Sequence, residues 1–139
     1  MAIRLERRYR FSAGHLYRRP EWSEEENRRR FGKCSNLPGH GHNYRLWVTV
    51  VGEVDPATGF VVDLGELDRQ VEETILSRLD HQQLNAAIEA FAPGGRIPTS
   101  EELVIWIQEE LVGTLPEGAR LVRLRLAEDE DLAAEWAEE

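Results

Sequence analysis

Hydrophobic and polar positions alternate with a period of two at the start of the chain. Ile3, Leu5, Tyr9, Phe11 and Ala13 share one parity, and Arg4, Glu6, Arg8, Arg10 and Ser12 the other. Successive strand side chains point to opposite faces, so this pattern predicts a half-buried strand that carries His15 inward at its end. The chain from 16 to 33 is polar and irregular, but Ser23 and Glu26 have capping-box spacing and predict a short helix over 24–30. A second alternating run at 42–54 sets Tyr44, Leu46, Val48 and Val50 on the parity of His40 and His42. Asp55-Pro-Ala-Thr-Gly59 reads as a turn, and 60–63 as a short third strand completing a hairpin.

The period then changes. Asp63 and Glu66 form a second capping box ahead of a stripe of Leu64, Leu67, Val71, Ile75 and Leu79, which predicts a helix ending near Asp80-His81. Thr99 and Glu102 form a third, opening a helix marked by Leu103, Ile107 and Leu111 and closed by Pro116 and Gly118. Alternation returns over 121–128, and 132–136 reads as a last strand. The order strand, strand, helix, helix, strand, strand predicts an α+β fold: an antiparallel four-stranded sheet with two helices on one face.

Composition narrows the classes. A chain of 139 residues, 31% charged and 41% apolar, is the size and make-up of one soluble globular domain, without linkers or repeats. A formal net charge of -9 argues against general nucleic-acid binding. Arginine is nevertheless dense in the first thirty residues, which leaves room for a local basic patch toward a small anion. The lone cysteine excludes an intramolecular disulfide and suits a reducing interior. The first residues lack the apolar core of a signal peptide, and no run approaches the roughly 18 apolar residues of a membrane span. The expected location is cytoplasmic, with no membrane partner.

The chemistry concentrates in Cys34-Ser-Asn-Leu-Pro-Gly-His40-Gly-His42-Asn43-Tyr44. His40 and His42 leave the same face of a strand, and His15 shares the inward parity at the end of another. Singly, each histidine is explained as a structural residue; together, at the ends of two strands that could lie side by side, they could build a three-imidazole zinc site with one open position. Cys34 reads as a small buried hydrophobe, as a fourth structural ligand, or as an ionised base beside the metal. Spacing does not separate these readings. Asp80-His81 reads as C-terminal helix chemistry or as a carboxylate-oriented imidazole. Glu128 shares the parity of Val122, Leu124 and Leu126: either the strand has ended and it is solvated, or it accepts paired N–H donors of a heterocycle.

Over nearly its whole length the chain resembles the 6-pyruvoyl-tetrahydropterin synthase family. The resemblance rests on Phe11-Ser-Ala-Gly-His15, Ser23-Glu-Glu-Glu-Asn27, Phe31-Gly-Lys-Cys34, His40-Gly-His-Asn-Tyr44, Gly52-Glu-Val-Asp-Pro-Ala-Thr-Gly59, Leu79-Asp-His81 and Pro98-Thr-Ser-Glu101. It implies the tunnelling fold, with three subunits closing a barrel and two trimers stacking into a homo-hexamer. It implies Zn2+ on His15, His40 and His42, and Cys34 as a proton-abstracting base. Asp80 and His81 would be a relay given to a neighbouring subunit, and Glu128 the pterin anchor, with Thr99, Ser100 and Glu101 lining its pocket. The implied reaction takes 7,8-dihydroneopterin triphosphate to 6-pyruvoyl-tetrahydropterin, without a nucleotide or redox cofactor. A sister branch makes 6-carboxytetrahydropterin for queuosine. The five residues from Ser35 to Gly39 match the pyruvoyl spacing, whereas Asp129 stands where the family usually has threonine. The competing reading from another class is a non-catalytic, zinc-stabilised assembly module with Cys34 as fourth ligand.

Overall fold

The two alternating runs pair along their full length. In the computed structural model, which describes residues 1–139, β1 (Ala2–His15) lies antiparallel to β2 (His40–Glu53), from Ala2 opposite Glu53 to His15 opposite His40. The other edge of β2 pairs with β4 (Arg120–Ala127), which pairs with β5 (Ala133–Ala137). Opposite Thr49 and Val50 the register slips past Val122, so Leu121 and Val122 are both buried. The extra residue is a bulge that re-aims β4.

Two expectations are corrected. The sheet is five-stranded and mixed, in the order β3-β1-β2-β4-β5, because β3 (Gln82–Gln83) runs parallel to β1 at Ala13 and Gly14. The outer edge of β1 carries unpaired backbone groups, and this short segment satisfies some of them: His81 N donates to Ser12 O at 2.6 Å. Residues 60–63 form no strand. Both edges of β2 are already taken by β1 and β4, so no hairpin partner is available. The turn closes on itself instead, with Gly59 N donating to Asp55 O at 2.7 Å.

The three N-caps form as the spacing requires. Ser23, Asp63 and Thr99 accept from the backbone N–H of Glu26, Glu66 and Glu102, opening α1 (Glu24–Phe31), α2 (Leu64–Val71) and α5 (Ser100–Leu111). α2 runs through a π turn (Glu72–Leu76) into α3 (Ser77–Leu79), and the wider turn keeps Leu67, Val71, Ile75, Leu76 and Leu79 all buried. α4 (Leu84–Ala87) follows β3. The helices cover the face bearing Tyr9, Phe11, Tyr44, Leu46 and Val48, where the Phe11 and Tyr44 rings stack with centroids 4.8 Å apart. The opposite face, with Arg8, Arg10, Arg45 and Trp47, is left to solvent. No helix is long and apolar enough to cross a membrane.

Candidate active site

The β1–β2 register brings the histidines together. His15 lies directly opposite His40, and His42 opposite Ala13, one step inward on the same face. Glycines let the strand ends close. Gly39 has φ of +108°, and a Cβ there would stand 2.5 Å from His15 O; one at Gly41 would stand 3.0 Å from Ala13 O. The three rings form a near-equilateral triangle, with centroids 4.8, 4.9 and 5.0 Å apart. Nε2 of His15 and Nε2 of His40 are 3.2 Å apart. That matches the edge of a zinc tetrahedron, about 3.3 Å for Zn–N bonds of about 2.05 Å.

His15 is fully buried, and burial first, then the rings of His42 and His40, push its pKa down to about 3. It is therefore neutral, the form that ligates a metal. Its Nδ1 lies 2.9 Å from Tyr44 Oη, and an Nδ1–H donated there leaves the Nε2 lone pair facing the cluster. His42 Nε2 is buried without a hydrogen-bond partner, and the nearest carboxylate oxygen, Glu128 Oε2, is 3.4 Å away. A buried polar atom left unpaired is costly, and here its lone pair is available to a cation. The ligating atoms of His15, Cys34 and His40 lie within 4.8 Å of one another, so this group fits a dication, whereas His42 falls in a second group with Glu128 and Asp129 rather than with the other two histidines.

Cys34 sits on a short 3₁₀ turn (Gly32–Ser35) after α1, its Sγ 3.9 Å from His40 Nε2. Residues 16–19, leaving His15, are strapped to it: Tyr17 N donates to Cys34 O at 2.9 Å, and Arg18 to Ser35 O at 3.0 Å. Two asparagines hold this strap. Asn27, buried in α1, accepts from Arg19 N and donates to Arg19 O, while Asn85 accepts from Leu16 N and donates to Leu16 O. Burial, and then the Glu128 charge, push the Cys34 thiol up.

Asp80 and His81 are bonded to each other, the second of the two arrangements open from the sequence. His81 takes φ of +61°, which turns its ring back and sets Nδ1 3.0 Å from Asp80 Oδ2. Asp80 Oδ1 accepts from Ser12 N at 2.9 Å, and this bond leads the causes that hold its carboxyl below the usual range. The His81 ring is largely exposed and lines a shallow cleft with Ser12, Gly14 and His42, while Asp80 lines the neighbouring one with His42 and Glu128.

Glu128 is buried at the end of β4, where its Oε1 accepts from Ser100 Oγ at 2.7 Å. The solvated alternative is thereby excluded. Thr99 is occupied as the α5 cap, and Glu101 is exposed, although its charge and that of Glu128 both act on Tyr17 to raise its pKa, after burial. Asp129 accepts from the backbone of Asp131 and Leu132 and shapes the turn into β5. Tyr44, Asn27 and Asn85 were not singled out by spacing. The available signals were the shared parity of Tyr44 with the histidines and an asparagine inside a helix it disfavours.

A mixed sheet with clustered imidazoles, a thiol and a buried carboxylate at one end describes a class of small α+β enzyme domains. The family model of 6-pyruvoyl tetrahydropterin synthase matches residues 4–139, and the chain belongs to this family. It is 44% identical over 114 residues to the 6-pyruvoyl tetrahydrobiopterin synthase of Homo sapiens, covering 82% of this chain and 77% of that one. The protein of that name from Pongo abelii is 42% identical over 127 residues, covering 91% and 86%. The 6-pyruvoyl tetrahydropterin synthase structure from Caenorhabditis elegans superposes with a TM-score of 0.90 at 32% identity, covering 100% of this chain and 97% of that chain.

Proposed function

We propose that this chain is a lyase converting 7,8-dihydroneopterin triphosphate to 6-pyruvoyl-tetrahydropterin with release of triphosphate. One observation carries the reading: a thiol 3.9 Å from an imidazole cluster whose third ring lies 3.4 Å from a buried carboxylate. Base, metal-type ligands and heterocycle anchor thus share one cleft.

His15, His40 and His42 hold Zn2+ in this reading, leaving Cys34 free. Bound there, the ion supplies Lewis acidity to side-chain oxygens and favours the ionised thiol against the pull of burial. Glu128 accepts the amino and ring N–H of the pterin, with Ser100 fixing the carboxylate and Thr99 and Glu101 lining the approach. Cys34 removes a carbon-bound proton from the side chain. The C–O bond to triphosphate breaks as the electron pair moves in, and the side chain is oxidised while the ring is reduced. No external reductant is consumed.

Asp80 and His81 return protons, contributed to the cleft of a neighbouring copy. Their exposure, 83% at the His81 side chain, supports that assignment and with it a trimeric barrel, two of which stack into a homo-hexamer. Incubation with dihydroneopterin triphosphate and mass identification of the pterin tests the reading. It predicts 6-pyruvoyl-tetrahydropterin and inorganic triphosphate; acetaldehyde with a 6-carboxy product would assign the sister activity instead.

A further inference from the structure

The ligating atoms in the cleft sort into two separate sets of three. His15, Cys34 and His40 make the inner set, and His42, Glu128 and Asp129 the outer, each with its atoms within 4.8 Å of one another. No residue is common to both. The outer set has lone pairs to spare. Glu128 Oε1 is taken by Ser100 Oγ, while Oε2 lies 3.4 Å from His42 Nε2. Asp129 Oδ1 is taken by the backbone N–H groups of Asp131 and Leu132, which leaves Oδ2 unbonded. His42 Nε2 is buried and has no hydrogen-bond partner.

Charge points the same way. Glu128, Asp129, Glu130 and Asp131 are consecutive, and the His42 ring is the one basic group within ion-pair distance of any of them. Arg10 and Arg45 line the same cleft, of about 760 Å³, without pairing to this run. A buried carboxylate and an exposed one beside an imidazole lone pair are a nitrogen-and-oxygen set of the kind zinc takes. A dication there neutralises both carboxylates and satisfies the orphaned nitrogen together.

We propose that His42, Glu128 and Asp129 form a second divalent-cation site, filled when zinc is in excess, and that the two-zinc state is inactive. At one equivalent the ion sits on the three imidazoles and Cys34 is free. Excess is needed because the second ion must take His42 from the first. Cys34 then replaces His42 beside His15 and His40, and its thiol proton passes to solvent as the sulfur becomes a ligand. No base remains, and Glu128 is closed to the heterocycle. The loss of activity rests on the reaction proposed above; the second site rests on the ligand sets alone.

The test loads the full chain with one zinc and titrates further Zn2+ against a fluorescent chelator, with a parallel cobalt-loaded series followed by absorption. Asp129→Asn keeps the Oδ1 acceptor of the turn and removes the carboxylate. Asp131→Asn makes the same charge change at a neighbouring exposed residue and is the control. Wild type and control take a second equivalent, and the thiolate-to-cobalt charge-transfer band appears with the second ion, not the first. Asp129→Asn holds the first equivalent as wild type does and the second more weakly by about tenfold or more, since losing a ligand costs no less than losing a group that orients one. Excess Zn2+ suppresses turnover of dihydroneopterin triphosphate by wild type and control, and Asp129→Asn resists it. A single equivalent in wild type, equal binding of the second by Asp129→Asn, or equal weakening in Asp131→Asn overturns the second site. Full turnover with both ions bound overturns the inactive state. A charge-transfer band complete at one equivalent, or no turnover at that loading, would sink the proposed reaction, and the stoichiometry would still decide the second site.

Discussion

Tyr44 Oη lies 2.9 Å from His15 Nδ1, and this contact ties the hydrophobic core to the imidazole cluster. The Tyr44 ring stacks on Phe11 while its hydroxyl, within hydrogen-bond reach of Nδ1, holds the orientation of the His15 ring. Tyr44→Phe keeps the stack and removes the acceptor. Partners of this kind typically contribute about 10–100-fold to metal affinity. Zinc affinity measured by chelator competition is expected to fall by that range, with the fold retained. An unchanged affinity would mean that the hydroxyl only fills space.

His81 holds an unfavourable backbone conformation, with φ of +61°, in order to face Asp80. Such strain typically costs on the order of 1 kcal/mol for a residue that tolerates the left-handed region. His81→Gly is expected to gain up to about 1 kcal/mol in urea unfolding while turnover falls by about 10²–10⁴-fold, the usual contribution of a positioned acid or base. His81→Asn, which tolerates the same backbone, should lose turnover with little change in stability. Full turnover in both variants would remove His81 from the relay.

Glu128 is anchored by Ser100 and faces the cleft with its second oxygen. Glu128→Ala removes paired charge-assisted bonds to the pterin and is expected to weaken substrate binding by about 2–4 kcal/mol. Ser100→Ala leaves the carboxylate in place and should cost about 1 kcal/mol. Equilibrium binding of a pterin analogue separates the two, and equal losses would contradict the assigned order of importance.

Two carboxylates set the response to acid. The bond from Ser12 N, and then His81, lower the pKa of Asp80; at Asp68, burial opposes but the bonds from Tyr9 and Arg7 prevail and lower it. A carboxyl with a lowered folded-state pKa binds fewer protons when folded. Its stabilisation is complete above the unfolded value of about 4 and is lost as pH falls through the lowered value. Urea unfolding of the wild type should therefore weaken as pH falls below about 4. Asp80→Asn, which keeps an acceptor for Ser12, should show a shallower decline over that window, and parallel curves would contradict the assignment.

The long elements were legible because burial imposes their period. Tyr44, Leu46, Val48 and Val50 had to share a face, and that gave the parity of His42 and His40, although the strand starts at His40 rather than at 42. The caps at Ser23, Asp63 and Thr99 were legible because each needs only a hydroxyl or carboxylate three residues from an N–H. Features decided by tertiary competition were not. Residues 60–63 look like a strand, but β2 has no free edge for them, while Gln82–Gln83 pairs because β1 has one. The Asp80–His81 contact depends on a positive φ that histidine composition does not announce. The straps by Asn27 and Asn85 join groups 8 and 69 residues apart, beyond any local pattern.

The central claim is that Cys34 is a free base beside three imidazole ligands, so the most direct measurement is the zinc content and turnover of Cys34→Ala together. A base predicts wild-type zinc content with product formation abolished. Zinc lost along with the thiol would make Cys34 a ligand and contradict the account.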